Sequence, residues 1–146
     1  MRSSDEYVRG LDTLTHEAGH AVAVYMLGAK LVRIIGARHR VEDPFLERGS
    51  VEWLGPLPPE AEAFVLLAGR AAAEGADVLL PSTTADERIA ATLVDSSTLE
   101  RLRGEVLIWT WRKDVSAAIR ALCDAVAAND GLLSGPTAEE VLRGVV

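Results

Sequence analysis

The chain has 146 residues, 49% of them apolar, which is enough to bury a real core as one domain over residues 1–146. Its formal charge of -7 argues against a nucleic-acid or anionic-membrane partner, and no window reaches the roughly 18 uninterrupted apolar residues of a membrane span. The chain passes from Met1 straight into charged residues at Asp5 and Glu6 without a signal-peptide core, and Cys123 is the only cysteine, so a cytoplasmic protein without disulfides or a thiolate zinc site is expected.

Residues before Leu11 read as an approach segment or a short helical turn. Asp12 or Thr13 then suits the cap of a helix that should stop at Gly28. From Ala21 to Leu27 this helix is apolar all round, so it is expected in the core. It carries His16-Glu17-Ala18-Gly19-His20, a His-Glu-x-x-His pattern. Residues four apart lie above one another on a helix face, so both imidazoles can hold one metal ion, with zinc–nitrogen distances of about 2.0–2.1 Å. Glu17, one position round, reaches a zinc-bound water rather than the metal. Zinc lowers the pKa of that water to about 7, and the carboxylate takes its proton and passes it to a departing amine. This is the chemistry of a zinc peptidase. The small residues Ala18 and Gly19 leave room for a neighbouring element or a substrate.

Beyond Gly28, Ala29 to Ile35 is a β-branched run that predicts a strand, and Gly36 to Glu47 is polar and turn-rich. Arg48 to Leu54 is a second strand candidate, stopped by Gly55-Pro56. Pro59 suits the first turn of a helix to about Glu74. A third helix starts around Pro81, with Thr84 and Glu87 spaced for a capping box. The pattern is helical from about Ser97 to Ala128, with a bend expected near Gly104 or Lys113-Asp114. A last short helix is expected through Val145, capped by Thr137 and Glu140. Trp109 and Trp111, two apart, face different sides of a helix, and one of them can lie in a partner or self-association surface. The predicted fold class is mainly α (α+β): a helical bundle around the metal helix, with a small two- or three-stranded sheet.

Two histidines hold zinc poorly, and catalytic sites usually take three protein ligands and a water. A histidine six residues further on, after a glycine, would mark the metzincin class, but Met26 and Ala23 occupy those positions. His39 stands between Arg38 and Arg40, where positive charge disfavours a cation. A downstream carboxylate is therefore required, and Glu74, Asp77, Asp86, Glu87 and Asp95 all remain open on spacing.

Several stretches, in order, resemble the peptidase domain of FtsH-type zinc proteases. The His16–Val22 motif looks like the start of that domain, and Val32-Arg33-Ile34-Ile35 resembles the strand after its metal helix. Leu66 to Glu74 resembles the family's leucine-glycine-glycine-arginine-alanine-alanine-glutamate helix. Ser82 to Asp86, followed by Ala90-Ala91-Thr92, resembles the segment that supplies the family's aspartate ligand, with Thr84-Ala85 where the family carries a longer glycine-containing stretch. Leu132 to Gly135 and Glu139 to Leu142 are similar to the domain's end. The resemblance implies zinc held by His16, His20 and Asp86, with Glu17 as general base. No Walker glycine loop, arginine finger or membrane anchor accompanies it, so the expected activity is ATP-independent. The expected substrates are flexible peptides or unfolded protein, delivered where necessary by a separate partner or a homo-oligomer.

Zinc peptidases commonly hold substrate backbone as an added strand on a sheet edge. Gly49, Ser50, Val51 and Glu52, leading to Trp53, are the candidate edge; the same residues suit an ordinary covering hairpin. The alternative to a soluble zinc metallopeptidase is a non-catalytic binding or regulatory module that keeps the fold, against which the retention of Glu17 weighs. Hydrolysis of a small amide would use the same water chemistry.

Overall fold

The computed structural model describes residues 4–36, 50–73 and 81–146, with side chains described over 14–36, 50–73 and 85–146. Helix α1 spans Ser4–Met26. It starts well before Asp12 and Thr13, which lie inside it rather than at its cap. Either residue type costs a helix interior only tenths of a kcal/mol, so the helix runs through them. Gly28 closes it as expected, with φ at +85°, a left-handed conformation that favours glycine.

Strand β1, Lys30–Ile35, turns Leu31 and Ile34 into the core, three residues apart because a bulge between Leu31 and Arg33 breaks the alternation. Strand β2, Ser50–Leu54, pairs antiparallel with it from Lys30 opposite Leu54 to Ile35 opposite Ser50, with a bulge between Leu31 and Arg33. Helix α2, Pro59–Ala73, carries Glu60 and Glu62 in its first turn and Arg70 in its last, each complementing the helix dipole. Helix α3, Pro81–Leu93, begins at its proline. Thr84 is therefore an interior residue rather than the cap expected with Glu87.

Helix α4, Ser96–Thr110, is capped by Asp95, whose carboxylate accepts the Thr98 amide at 2.7 Å. Helix α5, Lys113–Ala128, follows after a break at Trp111 and Arg112, so the expected bend is a true interruption beside Lys113 rather than at Gly104. Strand β3, Leu132–Ser134, completes the sheet by pairing antiparallel with β1, giving the order β2-β1-β3. Helix α6, Gly135–Arg143, is capped by Ser134, whose Oγ accepts the Thr137 amide. Thr137 thus sits in the first turn instead of at the cap, and the helix stops two residues short of Val145.

Among the described residues the architecture is six helices and a three-stranded antiparallel sheet, an α+β arrangement dominated by helix. Helix α1 lies at its centre, packed against α2, α5 and the sheet, while α2 carries α3 and α4 on its other sides. Ala18 and Ala21 to Val24 are buried, whereas Met26 and Leu27 are exposed, so the apolar end of α1 emerges from the core. Trp109 is buried and Trp111 is 69% exposed, the split their spacing predicts. No helix among the described residues is long and apolar enough to cross a membrane.

Candidate metal centre

Two turns of α1 present His16 and His20 on one face. Their rings meet edge to face with centroids 4.5 Å apart and Nε2 atoms 2.9 Å apart. His16 is wholly buried and His20 nearly so. Helix α2 closes this face. A Cβ added at Gly69 would lie 2.5 Å from His20 Nε2 and 2.9 Å from the His16 carbonyl oxygen. One added at Gly19 would meet Ala72 Cβ at 2.6 Å. The two glycines let the helix backbones approach closely, and the neighbour for which Ala18 and Gly19 leave space is α2. That approach brings the Val65 carbonyl oxygen within 2.6 Å of His20 Nδ1. Nδ1–H donates to it, which fixes the ring and leaves the neutral imidazole's Nε2 lone pair directed at the other ligand atoms.

Helix α3 supplies the third group. Asp86 Oδ2 stands 3.0 Å from His16 Nε2 and 3.1 Å from His20 Nε2. Among the described residues, His16, His20 and Asp86 form the one group of three potential ligands placed this closely. Two imidazole nitrogens and a carboxylate oxygen are a donor set that catalytic zinc accepts. Tetrahedral zinc at about 2.0–2.1 Å from each donor holds them about 3.3–3.4 Å apart. An outward shift of a few tenths of an ångström accommodates the ion, so the residues fit it. Three electron-rich atoms converging in a buried place otherwise need protons between them.

The electrostatics without a cation have that character. Burial lowers the pKa of His16, and this outweighs its hydrogen bond to Asp86. Burial acts on His20 in the same direction, but its hydrogen bond to Asp86 and the charges of Glu17 and Asp86 leave it raised. Of the two imidazoles, His20 therefore takes a proton more readily than His16. For Asp86 burial alone would raise the pKa, yet hydrogen bonds from both imidazoles bring it below its usual range. Glu17, 4% exposed, has its Oε1 4.0 Å from His16 Nε2. Burial pushes its carboxyl up to about 7.

Of the other carboxylates considered from sequence, Glu87 turns away to Arg70 and Arg103, and Asp95 caps α4. Glu74, Asp77, His39 and Gly49 lie outside the described residues. Ser50, Val51 and Glu52 belong to β2, which packs against α1 and, among the described residues, has a strand on one side only. Glu52 is exposed and bonded to Arg33 at 2.7 Å. Two contributors escaped the reading of the residues: the Val65 carbonyl, a backbone group with no signal in residue type, and Gly69, whose signal was a lone glycine inside a helical pattern. The chain matches no protein-family model, and no curated protein matches it.

Proposed function

We propose that the chain is a zinc-dependent metallopeptidase that hydrolyses peptide bonds in flexible substrates. The reading is carried by one observation: two imidazole nitrogens and a carboxylate oxygen converge within 3.1 Å of one another beside a buried glutamate. Zinc at such a site lowers the pKa of a water to about 7 and polarises a carbonyl. His20 is held in its binding tautomer by Val65, and His16 is oriented by burial. Glu17 accepts a proton from the attacking water and returns it to the leaving amine. Burial raises the Glu17 carboxyl's pKa in the metal-free protein, and a bound dication would favour the carboxylate that a general base requires. Among the described residues β2 has a strand on one side only, and its other side suits a substrate backbone added as a strand along Ser50–Glu52, which selects extended, unfolded segments. One cysteine with no second to pair with agrees with a reducing compartment such as the cytoplasm. The resemblance to FtsH-type peptidase domains agrees with the ligand set, His16, His20 and Asp86.

The test compares wild type with Glu17→Gln on disordered protein and peptide pools after zinc is measured in both. The expected outcome is equal zinc and cleavage reduced about 10²–10⁴-fold in the variant. Wild type that holds zinc and cuts nothing would overturn the peptidase reading in favour of a non-catalytic binding module.

A further inference from the structure

Helix α3, which brings the third ligand, has few described apolar side chains against the core, with Leu93 half-buried there. Among its described residues only Ala90 is buried, while Ile89 is 49% exposed. It rests chiefly on α2 and barely touches α4. Successive residues on a helix point about 100° apart, so Asp86 and Glu87 leave α3 in different directions. Asp86 reaches the imidazoles. Glu87 Oε1 is ion-paired to Arg70 Nη1 from α2 and lies 3.7 Å from Arg103 Nε on α4, where Arg103 also pairs with Glu100. Glu87 is therefore the charged link from α3 to both helices. Arg70 follows directly on Gly69, the residue that lets α2 approach His20.

We infer that the Glu87–Arg70–Arg103 cluster is a latch that seats α3 so that Asp86 meets His16 and His20, making Glu87 and Arg70 positioning residues for the metal centre. The inference rests on the metal reading proposed above. Two adjacent acids divide the work, one facing the cation and the other fixing the helix that presents it. Without the latch, a helix whose described apolar anchors are Ala90 and the half-buried Leu93 no longer keeps Asp86 within 3.1 Å of both rings, and the site loses preorganisation. Charge pairing suits this role, because Glu87 must select one rotation of α3 and not merely its proximity to α2.

Zinc is titrated into metal-free protein in competition with a chromophoric chelator. Glu87→Gln and Arg70→Gln should each weaken zinc binding about tenfold, the range typical of groups supporting a ligand. The double variant should bind no more weakly than Glu87→Gln alone, since both changes break one linkage. Arg101→Gln, which removes ion pairs to Glu60 and Glu105 away from α3, should bind like wild type. With cobalt in place of zinc, the visible bands of Glu87→Gln should shift toward those of Asp86→Ala, a change that general destabilisation does not produce. Wild-type affinity in both Glu87→Gln and Arg70→Gln overturns the latch and leaves the metal reading standing. Wild type that binds no zinc overturns both.

Discussion

Glu17 is the residue in which burial and chemistry are most tightly joined. Its carboxyl is kept from water beside His16, and the charged form is penalised for that reason. With its folded pKa raised from 4.5 to about 7, the stability it contributes in the metal-free protein is fully present below pH 4.5. That contribution is lost as pH rises through 7, because the folded state must then give up a proton it holds more tightly than the unfolded chain does. The shift corresponds to about 3 kcal/mol at most. Glutamine resembles the neutral acid but does not titrate. In urea unfolding with a chelator present, wild type should therefore lose up to about 3 kcal/mol more than Glu17→Gln between pH 4.5 and 8. Identical pH profiles would place Glu17 in contact with water and remove the basis for a near-neutral pKa. A bound dication works in the opposite direction, favouring the carboxylate that the general base requires.

Elements explain which parts of this site can be read from a sequence and which cannot. His16 and His20 were legible because the relation between them is local: four residues in a helix fix one face whatever surrounds it. Asp86 is 66 residues beyond His20, and its place depends on how α3 docks, so spacing left five carboxylates open and only the resemblance singled it out. Glu87 has the spacing from Thr84 of a capping box, but α3 starts three residues before Thr84 and Glu87 forms ion pairs instead. Strand β3 is three residues long, too short for alternation to show, and forms because β1 offers it a free edge. The crossing of α1 over α2 gives the sharpest element-scale prediction. Gly69→Ala places a methyl group against His20 and the α1 backbone, and should destabilise by about 1–3 kcal/mol as the helices part. Gly104 lies inside α4 with nothing within 4 Å of its added Cβ, so Gly104→Ala should stabilise by about 0.5–1 kcal/mol. Thermal unfolding of the two variants checks both signs, and a Gly69→Ala protein as stable as wild type would mean the helices do not cross this closely.

For the molecule as a whole, the His16–His20–Asp86 cluster joins α1 to α3, two helices that otherwise share few contacts. Buried residues of α1, α2, α4, α5, α6 and the sheet form one hydrophobic cluster, to which the described residues of α3 add Ala90, with Leu93 half-buried against it. A cation held by α1 and α3 together, as proposed, would tie α3 to the core. Ligand binding stabilises a fold by about 2.7 kcal/mol at a free concentration one hundred times Kd. Zinc should accordingly raise the unfolding midpoint of wild type, whereas Asp86→Ala, with affinity reduced about a hundredfold or more, should show little rise at the same zinc concentration. The most direct measurement is zinc X-ray absorption on protein loaded with one equivalent of the metal. The account predicts a first shell of imidazole nitrogens and oxygen at about 2.0–2.1 Å, with imidazole scattering diminished in His20→Ala. A wild-type shell without imidazole, or one unchanged in His20→Ala, would contradict it.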